Sequence, residues 1–391
     1  MAKKIAVTGK RPTTKEEILE QALGEIRGKF GDGSIMRLGD GVQHNVDIIP
    51  TGILPLDVAL GVGGIPRGRV IEIYGPEGGG KTTIALHILA EAQKMGGIAA
   101  FIDAEHALDP RLAAALGVDT ANLYLSQPDS GEQAFFILDT LVRSGALDLV
   151  VVDSVAALTP QAEIDGKIGE NSPQMGLHAR LMSYALRRLT AVIAKSNTSV
   201  IFINQLRAQI SAGYSQGPTE TTTGGRALKF YSSVRIEVRR GKTIQVGDVV
   251  TGHELNIKVV KNKLAPPFRT AHTSLIYGKG VPQAISVVDM AIDYNVIKRK
   301  GSWLAYKGET ISQGKEKCAE YLIEHPELME EIKKDVLKQV SEGLGYAPAE
   351  EDSREDAGVN TLDENVEALL EEGVLKLDIT DEEKPNGDSN E

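Results

Sequence analysis

Gly75-Pro76-Glu77-Gly78-Gly79-Gly80-Lys81-Thr82 is the stretch on which the reading of this 391-residue chain turns. It has the form G-x-x-x-x-G-K-[ST]. The β-type run Val70-Ile71-Glu72-Ile73-Tyr74 precedes it and a helical pattern, Thr82 to Met95, follows. That context gives the motif a mechanism. Glycines let backbone N–H groups wrap a phosphate chain, the helix N-terminus favours negative charge, Lys81 reaches the β- and γ-phosphates, and Thr82 can ligate Mg²⁺. A strand, a phosphate loop and a helix in that order predict a nucleotide-binding α/β domain.

Outward from the loop, apolar runs at Ile98 to Ile102, Leu149 to Val152 and Val200 to Ile203 alternate with helical patterns at Gly131 to Ser144 and Leu177 to Lys195. Strands alternating with helices predict βαβ units and a mainly parallel central sheet covered on both faces. Val234 to Arg239 and Glu254 to Val260 alternate more strongly and read as antiparallel additions at an edge. Asp153 closes one buried run, where its carboxylate can hold magnesium through water; the alternative is a helix cap shared with Ser154. Glu105, just past Phe101-Ile102-Asp103, is the candidate base for positioning an attacking water. His106 lies beside it, but the seven histidines show no metal-binding spacing.

Composition bounds the rest. Apolar residues make up 41% and charged residues 25%, which excludes a collagenous or wholly disordered chain. No run of eighteen apolar residues is present, and the basic stretch from Met1 to Pro12 leads into no apolar segment, so neither a membrane span nor a secretory signal is expected. A single cysteine, Cys318, rules out a disulfide framework and fits a cytoplasmic chain. The net charge of −11 is concentrated at the end: Glu350 to Glu391 carries 16 acidic residues against Arg354, Lys376 and Lys384. The body is therefore nearly neutral, and the segment reads as an acidic disordered tail, either solubilising or competing for the body's basic surface. Near the start, Thr13-Thr14-Lys15-Glu16 offers a capping box for an amphipathic helix reaching Phe30, whose stripe needs its own core or a neighbouring subunit to cover it. Past Pro282 the pattern suggests short helices around an apolar set that includes Trp303 and Tyr306.

Two polar loops, Gly166 to Gly176 and Arg207 to Gly225, are poor core material, and Arg180, Arg187, Arg188, Arg207 and Arg226 lie near them. Cations with scattered apolar side chains suit a single strand followed along its phosphates, although two flexible surface loops would look the same.

Together, Gly75 to Thr83, Phe101 to Pro110, Val150 to Pro160, Ile201 to Gln205, Thr221 to Phe230 and Lys258 to Lys263 resemble the bacterial RecA family of DNA recombinases, over about Ala22 to Lys338. The resemblance implies a P-loop NTPase core of RecA type, with an N-terminal oligomerisation helix and linker (1–42), an ATPase and DNA-binding core (43–281), a small C-terminal α+β domain that gathers duplex DNA (282–345) and the acidic tail (346–391). It implies a helical filament on single-stranded DNA, with ATP and Mg²⁺ between subunits, that exchanges strands with homologous double-stranded DNA. Stimulated self-cleavage of a LexA-type repressor of the SOS response to DNA damage is implied as well.

By matching residues, Glu105 resembles the hydrolytic glutamate, Thr82 and Asp153 the metal ligands, Gln205 the γ-phosphate sensor, and Lys261 and Lys263 the lysines that reach a neighbour's ATP. Thr83, Asp109 and Tyr277 join the loop residues in nucleotide binding. Met175, Gly176, Arg180, Ser183, Arg187, Arg207, Ile210, Gly224 and Gly225 fall on DNA-binding positions, Phe230 on an interface position, and Lys298, Arg299, Lys300 and Lys315 on the duplex-gathering surface, although Lys298-Arg299-Lys300 reads equally as a solvated face. Gly78 and Gly79 replace the family's usual serines, Leu112 replaces an aromatic that stacks on adenine, and Tyr214 replaces a phenylalanine. Two rival readings share the core: a ring-forming helicase or RadA-type repair ATPase, and a small-molecule kinase whose lids are the two loops.

Overall fold

The computed structural model describes residues 14–35, 37, 46–166, 176–208 and 220–343. Met175, Ile210, Tyr214, most of both polar loops and the acidic tail lie outside the described residues. The first helix, α1 (Lys15–Phe30), is capped one residue later than Thr13-Thr14-Lys15-Glu16 suggests: Thr14 Oγ1 accepts from Glu17 N–H at 3.2 Å, and the Glu17 carboxylate accepts from Thr14 N–H at 3.3 Å. No residue of α1 is buried, and Ile18, Leu19 and Phe30 stand exposed. The core of the described chain therefore does not cover its apolar stripe.

β1 (Ile48–Ile49) pairs with β2 (Ile65–Pro66) around α2 (Leu54–Leu60). β3 (Val70–Gly75), α3 (Lys81–Lys94), β4 (Ala99–Asp103), α4 (Pro110–Ala115), β5 (Tyr124–Ser126), α5 (Gly131–Ser144) and β6 (Leu149–Asp153) follow. Then come α6 (Gln161–Ile164), α7 (Leu177–Ser196), β7 (Ser199–Ala208), β8 (Glu220–Thr222), α8 (Ala227–Tyr231), β9 (Val234–Val246), β10 (Val249–Asn262) and β11 (Thr270–Ile276). The main sheet runs β11-β10-β9-β3-β7-β6-β4-β5, with β8 attached to β7. Pairing is parallel from β9 through β3 to β5 and antiparallel at β9, β10 and β11, as the periodicities predict.

Central strands are apolar on both faces because both are covered. Ile71, Ile73, Val151 and Ile201 pack with Ile84, Leu86 and Ile88 of α3, while Val70, Val150, Val152 and Phe202 pack with residues of α5 and α7. β7 continues past the expected end at Ile203 because the polar Asn204 and Gln205 find partners within the fold. β9 and β10 extend into a long hairpin turned at Gly247, where φ is +62°.

Beyond Pro282 the chain forms α9 (Gln283–Asp293), then β12 (Ile297–Lys300), β13 (Trp303–Tyr306) and β14 (Glu309–Gln313), then α10 (Lys315–Glu324) and α11 (Pro326–Gly343). An antiparallel sheet thus joins the short helices that the sequence pattern suggests, as the α+β domain implied by the resemblance requires, with Gly301 and Gly308 turning between its strands at φ +64° and +94°. Tyr306 is buried, its hydroxyl donating to Asp335 at 2.8 Å, but Trp303 is 49% exposed and is not central to the apolar set. Leu54 and Val58 of α2 join that set, so the smaller body rests partly on an early helix. No helix among the described residues is long and apolar enough to cross a membrane.

Candidate nucleotide and nucleic-acid site

β3 delivers the chain to the phosphate loop, and the loop's glycines are demanded by space and by backbone angle. A Cβ at Gly75 would overlap the carbonyl oxygen of Val238, and one at Gly80 would lie 2.8 Å from Leu275 Cδ1. Gly78 and Gly80 have φ of +66° and +89°, the left-handed region that favours glycine. Gly80 is the N-cap of α3, so the first-turn N–H groups of Lys81, Thr82 and Thr83 open onto the loop. Pro76 is half-buried, Glu77 exposed and Gly79 buried. The Lys81 ammonium donates to Pro76 O at 2.8 Å. Burial pulls its pKa below the usual lysine range, against the opposing charges of Asp153, Glu105 and Glu77.

The acidic residues that the sequence places at strand ends converge here because β4 and β6 pair in register, Asp103 opposite Asp153. Thr82 Oγ1 donates to Asp153 Oδ2 at 2.7 Å. Glu105 Oε1 accepts from Gln205 Nε2 at 2.8 Å and also from the Ser154 hydroxyl. Lys81, Thr82, Asp153, Glu105 and Gln205 are thus gathered at the C-terminal edge of the parallel strands, where ligands bind in open α/β sheets.

Ser154 makes no capping bond, contrary to its reading as a helix cap; it holds Glu105 instead. Asp103 accepts from the N–H groups of Ala107 and Leu108, both at 3.2 Å, and thereby fixes the turn that carries Glu105. Neither role was anticipated, although two residues following paired strand ends are neighbours by register alone.

Burial raises the Asp153 carboxyl to about 6, with Glu105 and Asp103 adding to the effect and Thr82 and Lys81 opposing it. Because the folded value lies above the unfolded one, near 4, this group's contribution to stability is greatest below pH 4 and falls as pH rises to about 6. Asp153→Asn is therefore expected to stabilise the nucleotide-free protein at pH 7 by about 1–3 kcal/mol, with little gain at pH 4. Urea unfolding at the two pH values measures this.

Other expected nucleotide and trans-acting residues do not join this set. Asp109 is spent as the N-cap of α4, accepting from Arg111 N–H at 2.8 Å. Exposed Tyr277 follows β11, its hydroxyl 3.2 Å from His253 Nδ1, and lies two residues beyond Leu275 at Gly80. Leu112 packs against the core. Lys261 Nζ donates to the carbonyls of Lys229 at 2.7 Å and Phe230 at 3.1 Å, while the Lys263 side chain is exposed. Phe230 itself is 70% exposed.

Gly176, at φ +90°, begins α7. Arg180, Tyr184, Arg187 and Arg188 are exposed along that helix at helical spacing, and Arg188 also pairs with Asp139 at 3.0 Å. The Ser183 hydroxyl donates to Ala179 O at 2.7 Å, leaving it an acceptor. Gly224 and Gly225 sit against α7: a Cβ at Gly224 would lie 3.2 Å from Met182 Cγ, and 2.9 Å from Val155 Cγ1 beyond the helix, and one at Gly225 would lie 2.9 Å from Ala179 Cβ. Arg207 is exposed on β7, two residues beyond Gln205. The described ends of both polar loops therefore meet beside the segment that follows Asp153 and Ser154.

Comparison with known proteins completes the description. A family model described as the RecA N-terminal domain matches residues 17–282, and one described as the RecA C-terminal domain matches 285–341. The chain is 55% identical over 335 residues to Protein RecA of Frankia casuarinae, covering 86% of this chain and 95% of that one. It is 57% identical over 326 residues to Protein RecA of Francisella tularensis subsp. novicida, covering 83% and 90% respectively.

Proposed function

The chain belongs to the RecA family of recombinases, which are DNA-dependent ATPases, and on that premise we propose that Lys81, Thr82, Asp153, Glu105 and Gln205 form its ATP-hydrolysing centre. Family membership decides among the three readings of the sequence in favour of the recombinase. The observation that carries the assignment of residues is the shared acceptor at Glu105 Oε1, bonded to both Ser154 and Gln205 within reach of Lys81's field.

In this reading Glu105 orients the attacking water, and Lys81 with the α3 N–H groups holds the phosphates. Gln205 exchanges its bond to Glu105 for one to the γ-phosphate. That exchange moves the end of β7, from which Arg207 leads into the second loop, and lets ATP shift the protein between weak and strong DNA-binding states.

Thr82 and Asp153 suit magnesium: a hydroxyl and a carboxylate face each other at 2.7 Å, and burial, reinforced by the charges of Glu105 and Asp103, raises the Asp153 carboxyl to about 6, a cost that a bound cation would relieve. The ion would neutralise charge on the β- and γ-phosphates. Among the described residues no group of three or more His, Cys, Asp or Glu is arranged to hold a metal by itself, consistent with phosphate oxygens completing the set.

Filament formation on single-stranded DNA follows as the working assembly. α1 would dock on a neighbour, Phe230 would lie in the subunit interface, and Lys261 and Lys263 would serve the adjacent ATP. Arg180, Arg187, Arg207, Ser183, Gly176, Gly224 and Gly225 would hold the strand. Exposed Lys298, Arg299 and Lys300 on β12 would gather double-stranded DNA, while Lys315 is tied to Asp289. A cytoplasmic location and stimulation of a LexA-type repressor's self-cleavage belong to the same proposal.

ATP turnover measured with and without single-stranded DNA, beside electron microscopy of the complex, tests the whole. Turnover should rise strongly with the strand, on extended filaments. Arg180→Ala should weaken strand binding and reduce the salt slope by about 0.7, the value for one lost phosphate contact. Equal rates with and without DNA, or closed rings, would remove the assignment.

A further inference from the structure

Glu72 is fully buried and has no part in the mechanism above. It lies on β3, in register with Phe202 of β7 on one side and Arg235 of β9 on the other, and Arg235 is in register with Lys261 of β10. Register partners project from the same face of a sheet, so a polar row crosses the buried centre toward the edge. One Glu72 oxygen accepts from Arg235 Nε at 2.5 Å and the other from Asn204 Nδ2 at 2.9 Å.

The Asn204 amide is then fully engaged. Its Nδ2 also donates to Thr223 O at 3.1 Å, and its Oδ1 accepts from Gln205 N–H at 2.9 Å and from the Thr223 hydroxyl. A carboxylate accepts only, so Glu72 dictates which way this amide faces. Asn204 in turn pins Gln205, just before the second polar loop, and Thr223, near its end.

At the other end Arg235 lies 4.6 Å over the Tyr74 ring, and its charge and that of Glu72 both act on Lys261. Lys261 holds the carbonyls of Lys229 and Phe230. We propose that Glu72 is a positioning residue joining these two ends, so that the state of Gln205 at one ATP sets the placement of the Lys261 offered to the next. The proposal rests on the reading in which Gln205 senses its own ATP and Lys261 serves a neighbour's.

The physical basis is the cost of a half-satisfied buried network. Moving Gln205 disturbs an amide with no spare bond, and any shift of Asn204 strips a partner from a carboxylate that water cannot reach. Glu72, Arg235, Asn204 and Thr223 therefore shift together, and Lys261 feels that shift through the charges of Arg235 and Glu72.

Two folded variants test this in the full-length protein: Glu72→Gln, and Glu72→Gln with Arg235→Gln. The readouts are nucleotide affinity without DNA, the gain in single-strand affinity on adding ATP, the dependence of hydrolysis on ATP concentration, and the thermal midpoint. Glu72→Gln should leave nucleotide affinity close to wild type, cut the ATP-dependent gain about tenfold and bring the Hill coefficient to about one. Its unpaired arginine should lower the thermal midpoint. The double variant, with no unpaired charge, should recover the midpoint but neither the gain nor the cooperativity.

Recovery of cooperativity together with stability would mark Glu72 as merely structural and overturn the proposal, as would wild-type coupling in Glu72→Gln. A wild-type protein in which ATP alters neither strand affinity nor cooperativity would overturn the recombinase mechanism itself, and this proposal with it.

Discussion

Lys81→Ala is expected to abolish strand exchange and to lower ATP turnover by at least about a hundredfold, the scale set by removing one preorganised charge donor from a transition state. The lysine is buried at the start of α3 and is the cation that balances Asp153, Glu105 and Glu77. Alanine keeps the helix start but leaves those carboxylates facing an incoming polyphosphate with no compensating charge. Binding should fail first, so nucleotide affinity measured with a fluorescent analogue falls in parallel with turnover. The fold should survive, since the side chain's own bond is to the loop carbonyl of Pro76. Unchanged exchange with ATP would refute the clamp, and a variant that binds ATP normally without hydrolysing it would move Lys81's role from binding to chemistry.

What the chain discloses before folding is governed by how local each signal is. The phosphate loop, its flanking strand and its helix are contiguous, and the central strands are apolar on both faces, so both could be read directly. Asp153 and Glu105 were legible for a related reason. Polar residues that close apolar runs fall at strand ends, and parallel strands bring those ends to one edge.

Ser154 and Glu72 were not legible in this way, because each owes its role to a partner at least 49 residues away, and Asp103 was not because its role lies in a local turn, closed by Ala107 and Leu108 N–H groups, that no motif announces. A serine after an aspartate looks like a cap until register places it beside Glu105. Likewise β7 appeared to end at Ile203, since Asn204 and Gln205 are poor strand residues unless a buried carboxylate awaits one of them.

The C-terminal sheet was obscured by composition. Ile297-Lys298-Arg299-Lys300 has one apolar residue, and only the glycines that turn the chain at 301 and 308 hinted at strands on either side. The one-residue shift of the first helix cap has a simpler cause: with threonines at 13 and 14 and glutamates at 16 and 17, both spacings satisfy the same pattern.

Glu105→Gln is expected to separate holding ATP from hydrolysing it. The glutamate's Oε1 accepts from Ser154 and from Gln205, and a glutamine amide oxygen can accept both bonds in the same place. What it cannot do is take a proton from, or orient by charge, an attacking water. Turnover is therefore expected to fall by about 10²–10⁴, the usual contribution of a positioned base, while ATP affinity and ATP-dependent strand binding persist. Burial is the main cause of the raised Asp153 carboxyl, but Glu105 adds to it, so removing its charge should also move that group's titration down from about 6. Magnesium would then be held to lower pH in the variant than in the parent. Single-turnover hydrolysis, strand binding with ATP and a magnesium titration at pH 5.5 together check the prediction. Parental hydrolysis rates would place the base elsewhere, whereas loss of strand binding alongside hydrolysis would mean that the Glu105–Gln205 contact, rather than the charge of Glu105, sets the DNA-binding state.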